Sequence, residues 1–312
     1  MGLNRHLAAV AALVVLTTSS RVPVSAQTPQ LFQFFVSVTD ATGAPLTDLR
    51  PEDVIMSENG VSQPIVKVEP LPVPMKLTIV VDNGFDSADA IDHYRAGLTG
   101  LVQALPPDVE ITLISSSPQP RTVVKPTTDH EQVLRGVKSF APERASPRFS
   151  DALVEYSQRL QRESKDSKAA PYLPVLLMLS TAAKDQTTYQ PKDIEKAVSA
   201  LVARHARMIT VMVSTRQGDV KSAVNLKSSL QGIVSIPAAQ ATNGRYEEVS
   251  VPSTLPTLLT QWGHDLAALH VRQNSQFRVT VERASSGDLK NPRIELARPG
   301  VKGSVTRDGF LP

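Results

Sequence analysis

Between Lys76 and about His270, short β-favouring apolar runs alternate with stretches whose apolar residues recur every three or four positions. The runs are Leu77–Val81, Val109–Ser115, Thr122–Lys125, Val175–Ser180, Met208–Ser214 and Tyr246–Val249. Between Ala90 and Leu105, for example, Ile91, Tyr94, Leu98, Leu101, Val102 and Leu105 form one stripe. Similar stripes mark Asp129–Phe140, Asp151–Leu160, Pro191–His205 and Ser253–Leu269, the last with Trp262 on its apolar side and so assigned to the core. Such alternation predicts an α/β fold, a mainly parallel sheet with helices on both faces. Its first strand runs straight into Asp82-Asn83-Gly84-Phe85-Asp86, ahead of a helix expected near Ser87 with Asp86 as a candidate cap. Open α/β sheets bind ligands at such strand ends. Two carboxylates there would suit a hard divalent cation.

The flanks read differently. Residues 27–69 carry only β signals, with Asn59-Gly60 between alternating runs as the strongest hairpin mark. Residues 70–75 (PLPVPM) predict a stiff extended linker, because proline cannot donate to a strand ladder. After the α/β unit at 76–270, residues 271–312 return to β patterning, with a turn at Ser285–Asp288. Forty residues are marginal as an independent unit. This segment is therefore expected to pack with residues 27–69 in a small Ig-like β module.

Residues 1–26 have the layout of a secretory signal: Arg5 and His6, an apolar core at Leu7–Leu16, and Val24-Ser25-Ala26 ahead of a cleavage point. The ten-residue core is short for a membrane span, which takes about 20 residues. An uncleaved anchor is the alternative. The mature chain is expected to be secreted or periplasmic, with no transmembrane segment. There is no cysteine, which excludes disulfides, thiolate metal sites and cysteine nucleophiles. Lys+Arg 33 against Asp+Glu 30 falls to 31 against 30 without Arg5 and Arg21, so charge makes no case for nucleic acid.

Enzyme signatures are thin. The six histidines form no ligand-spaced pair, His93, His130 and His205 falling in helical stretches, and no GxSxG elbow, phosphate loop or GxGxxG precedes a helix. The reading from another class is a metal-assisted hydrolase using Asp82 and Asp86.

Several stretches resemble the von Willebrand factor type A (VWA)-related proteins of bacterial envelopes: FFVSVTDATGAPLTDLRPEDVIMSENGVSQPI, LTIVVDNGFDSAD, SDALVEYSQRL, VLLMLSTAAKDQ, ATNGRY and TRDGFLP. The resemblance covers nearly the whole mature chain. It implies a Rossmann-like VWA domain flanked by a β module, and a non-catalytic role, either recognition of an unidentified protein partner or scaffolding in the bacterial envelope. Members with an intact metal-ion-dependent adhesion site use Asp-x-Ser-x-Ser, a middle-loop threonine and a late aspartate to hold Mg²⁺. Here the first aspartate matches as Asp82, but the serines correspond to Gly84 and Asp86. The threonine falls near Ser146 or Pro147, and the late aspartate at Thr181. The resemblance thus implies a degenerate site. Either Asp82 and Asp86, with Ser146 and Thr181, still hold Mg²⁺ in a rearranged shell, or the metal is lost and the carboxylates are solvated or paired with a cation such as Arg148 or Lys184. The second is expected here, with no cofactor and a basic side chain at the former metal position, because Arg148 and Lys184 lie in loops at the same sheet edge. The strand-end residues Asp82, Asn83, Asp86, Ser146 and Thr181 are its candidate binding face, and Asp82 and Asp86 its remaining metal candidates.

Overall fold

The structure is a computed structural model that describes residues 30–165, 170–214, 227, 229–283 and 289–311. Its centre is a six-stranded sheet built from β5 (Met75–Val81), β6 (Glu110–Ser115), β7 (Arg121–Thr127), β8 (Leu173–Thr181), β9 (Arg207–Val213) and β10 (Arg245–Val249). Their order is β10-β9-β8-β5-β6-β7, parallel throughout except for β7, which lies antiparallel on β6 at one edge. In β5, Leu77, Ile79 and Val81 face one core and Val80 the other; in β8, Val175, Leu177 and Leu179 oppose Leu176 and Met178 in the same way. Burial on both faces explains why these strands read as unbroken apolar runs.

The first face is covered by α1 (Ile91–Ala104), α2 (His130–Ser139) and α6 (Leu255–Asn274), with Trp262 in that core. The second carries α3 (Phe149–Glu163), α4 (Pro191–Ala203) and α5 (Leu230–Ala241). From β5 the chain moves to β6 and α1; from β8 it moves the other way, to β9 and α4. The loops that follow these two adjacent central strands therefore part to opposite faces. That opens a crevice at the sheet's carboxyl edge, where α/β sheets bind.

Strands from both ends of the chain make the remaining sheets. In one, β1 (Gln30–Thr39) lies between β13 (Lys302–Thr306) and β11 (Gln276–Arg283), which also pairs with β4 (Ile65–Pro70). In the other, β2 (Val54–Glu58) pairs with β3 (Val61–Gln63) and β12 (Pro292–Leu296). Phe34, Val36, Val38, Met56, Phe277 and Val279 fill a core common to both. Asn59 and Gly60 take positive φ, 50° and 81°, as the hairpin between β2 and β3 requires.

Four elements depart from expectation. A 3-10 turn over Phe85–Ala90 precedes α1, so the helix starts at Ile91 and Asp86 caps nothing. Helix α4 stops at Ala203, and His205 takes φ 52°, a left-handed helix exit rather than a helical position. Helix α6 runs to Asn274, past Leu269, before β11 begins. Helix α5 has no counterpart in the sequence reading, because Gly232 and Pro237 break its pattern; Ser229 caps it through the Gly232 N–H (3.1 Å). The expected signal at 1–26 and the turn at Ser285–Asp288 lie outside the described residues.

Candidate functional site

Asp82 leaves the end of β5 with its own N–H bound to Leu179 O on β8 (2.8 Å), and its side chain is 1 % exposed. The Gly84 N–H donates to Oδ1 (2.8 Å) and the Thr181 hydroxyl to Oδ2 (3.0 Å). Burial drives this carboxyl's pKa up, and the hydrogen bonds from Gly84 and Thr181 only partly offset the shift. The Ser87 hydroxyl lies beside it without a well-formed bond. The loop at 141–148 covers this centre. Phe85 N–H donates to Ala145 O (3.0 Å), Glu143 N–H to Asn83 O (2.7 Å), and Arg148 N–H to Ser116 O (3.1 Å). The Asn83 side chain adds two ties, donating to Ala141 O (3.1 Å) and accepting from Ser117 N–H (3.3 Å). A Cβ on Gly84 would stand 2.7 Å from Ala145 O and 3.1 Å from Asp82 Oδ1, so only glycine permits this approach.

Beside it lies a second carboxylate of opposite character. Asp151, in the first turn of α3, accepts from the Thr187 hydroxyl (2.6 Å), the Thr188 N–H (2.9 Å) and hydroxyl (3.1 Å), and Arg148 Nη1 (3.1 Å). Its burial acts to raise the pKa, yet these donors outweigh it and hold the group below the usual carboxylate range. Asp185, half-buried and raised in pKa by desolvation, accepts from the Ser150 N–H (3.0 Å). Above both, the crevice opens into a pocket of about 670 Å³ lined by Phe85, Pro118, Arg144, Ser146, Arg148 and Gln186.

Neither a family model nor a curated protein sequence matches the chain. Among solved structures, it is similar to a von Willebrand factor type A protein from Catenulispora acidiphila. The TM-score is 0.50 at 10% identity, over 89% of this chain and 72% of that one. The chain has the VWA fold. Two further likenesses score lower: an aerotolerance-related membrane protein from Bacteroides fragilis NCTC 9343 (TM-score 0.44, 10% identity, 61% of this chain and 99% of that one) and the conserved hypothetical protein BatB from Bacteroides thetaiotaomicron (0.45, 11%, 62% and 98%).

The strand-end residues of this VWA-fold unit divide into three groups. Asp82 and Thr181 meet directly, and Asn83 holds the covering loop. Ser146 is displaced to the pocket wall, and Asp86 is half-buried without a hydrogen bond or ion pair among the described residues. The expected basic replacement for the metal is corrected. Arg148 pairs with Asp151 instead, and Asp82 rests on neutral donors. The physical reason is cost, since a cation beside Asp82 would itself have to be fully desolvated.

This donor set does not fit Mg²⁺. One buried carboxyl biased toward its neutral form, both of whose oxygens already accept hydrogen bonds, makes a poor ligand for an ion that wants octahedral oxygen and water. Gly84 offers no side-chain oxygen, and no three His, Cys, Asp or Glu side chains cluster among the described residues. Sequence reasoning missed the buried hydroxyls of Ser87, Ser116, Ser117 and Ser150, which lack hydrogen-bond partners. The run Ser115-Ser116-Ser117 at the end of β6 was the available signal. It also missed Asp185, although the stretch VLLMLSTAAKDQ contains it, and Arg144, which lies outside every matching stretch.

Proposed function

We propose that the chain is an exported, non-catalytic VWA-type module that recognises a protein partner through the loops after β5 and β8, without a metal at Asp82. The observation that carries this reading is the sealing of Asp82 beneath the 141–148 loop, on neutral donors. A carboxyl in that setting serves the loop's architecture. The hydrolase alternative needs Asp82 and Asp86 to share an accessible reacting centre, whereas Asp82 is buried. Export rests on the signal pattern at 1–26. No helix among the described residues is long and apolar enough to cross a membrane.

Two measurements test the reading. Millimolar Mg²⁺, Mn²⁺ or Ca²⁺ should leave the melting temperature unchanged; a rise that D82A abolishes would overturn the metal-free mechanism. Capture from envelope extracts should recover at least one protein tenfold less efficiently with F85A or K184A, which alter the loops after β5 and β8. Equal recovery with both variants and the unaltered chain would remove the strand-end loops as the binding face.

A further inference from the structure

The pocket over the crevice has a chemistry of its own. Its lining carries two guanidinium groups and no carboxylate. Arg144 is exposed and forms neither an ion pair nor a hydrogen bond with any described residue. Arg148 is its opposite, pinned at both ends. Its N–H binds Ser116 O, and its Nη1 binds Asp151, whose oxygens also accept from Thr187 and Thr188. A guanidinium has five donors in a fixed fork, so the bond to Asp151 leaves most of the Arg148 head available. Phe85, a large apolar side chain left 55 % exposed, lines the same pocket.

We propose that this pocket binds an acidic side chain of a partner protein, flanked by an apolar residue that lies on Phe85. The proposal rests on the interaction reading above and names its chemistry. Two arginines beside one ionised Asp151 leave a single net positive charge, which matches a carboxylate better than a doubly charged phosphate. Bidentate, charge-assisted bonds from guanidinium to carboxylate supply the direction. Arg148 is the preorganised half of the clamp, and Arg144 is the half that closes on the ligand.

The probe is the peptide acetyl-Gly-Phe-Asp-Gly-amide, titrated into the ¹⁵N-labelled protein. Amide signals of Phe85, Ala145 and Gln186 should shift saturably, and EDTA should change nothing. The affinity should fall at least fivefold for the Asn counterpart of the peptide, and likewise for the R144A and F85A variants. Arg144 and Phe85 are exposed, so neither substitution threatens the fold. Equal binding of the Asn peptide, or R144A binding like the unaltered protein, would overturn the proposal. So would displacement of the peptide by equimolar inorganic phosphate, or tighter binding of acetyl-Gly-Phe with a free terminal carboxylate. Binding abolished by EDTA would bring down this proposal and the metal-free reading together. If the peptide fails while F85A or K184A still reduces partner capture, the pocket assignment alone falls.

Discussion

Asp82 decides what the site is at the scale of a single residue. Its carboxyl titrates higher in the folded protein than the ordinary value of 3.8, because burial penalises the charged form more than Gly84 and Thr181 help it. An acid with a raised folded pKa binds more protons folded than unfolded. Its stability contribution is therefore full below the unfolded pKa and is lost as pH climbs through the folded one. At neutral pH the aspartate thus costs stability that a neutral side chain of the same shape would not. In D82N the amide oxygen keeps the bond from Gly84 and the amide nitrogen faces Thr181. Thermal melts should show D82N more stable than the unaltered protein at pH 7–8, with the gap narrowing as pH falls toward 4. A less stable D82N at pH 7–8 would mean that the charge is required there, as it would be beside a bound cation. Part of this was readable in the sequence. Asp82 and Thr181 could be placed because each ends an apolar strand. The loop that covers them could not, since residues near 83 and 143 meet across some sixty positions and no local pattern encodes that contact.

Among the elements, legibility followed burial and periodicity. Strands β5, β6, β8 and β9 were plain because both faces are buried, while α5 was invisible because its signal is diluted by Gly232 and Pro237. The end of α6 was misplaced because residues from 271 onward read as the start of the β-patterned tail, yet Gln273 is buried and the helix continues to Asn274. Close packing of α1 on α6 was likewise hidden in two glycines. A Cβ on Gly263 would stand 2.7 Å from Leu101 O and 2.9 Å from the Ala104 Cβ, and one on Gly97 would meet Leu259 Cδ1 at 2.7 Å. Glycine to alanine in a helix ordinarily gains about 1 kcal/mol. Overpacking costs roughly 1–3 kcal/mol, more when the obstacle is backbone. For G263A the obstacle is a carbonyl that cannot turn aside, so the second effect wins. Denaturant unfolding should show G263A destabilised by about 1–2 kcal/mol. G97A should lose less, because its shortest contact is with a side chain, Leu259, that can adjust, and the backbone obstacle, Leu255 O, stands further off at 3.0 Å. A stabilised G263A would show that the two helices separate freely.

Across the whole molecule, the α/β unit and the β module are joined by more than the direct run from α6 into β11. The β module ties the two ends of the chain together through the buried Arg283–Glu58 pair (2.7 and 3.0 Å), which spans sheets made from both ends. Beyond β13 the chain returns to the α/β unit. Phe310 stacks on His205 with ring centroids 4.3 Å apart, and Leu311 sinks into the first-face core at 6 % exposure. Gln273, near the end of α6, accepts from the Leu311 N–H (3.0 Å) and donates to Gly309 O, while Gln276 donates to the same carbonyl (2.8 Å) and Arg207 to Leu311 O. Residues 306–311 are therefore a latch that fixes β11 and β13 against the helices. Its apolar anchors bury area on the α/β side, and its hydrogen bonds are held by residues at the junction itself. Replacing both anchors, in F310A/L311A, removes the stacking and leaves a cavity in the first-face core. Large-to-small changes of this kind cost about 2–5 kcal/mol each in a well-packed site, less where the edge can collapse. Because the loss falls on the junction, the two units should also come apart energetically. Calorimetry should show one cooperative transition in the unaltered protein, and a lower, broader or split transition in the variant. Hydrogen exchange should then rise first in β1, β11 and β13, with β5 and β8 still protected. A variant that melts in one unchanged transition would mean the connection through α6 and β11 alone holds the units together.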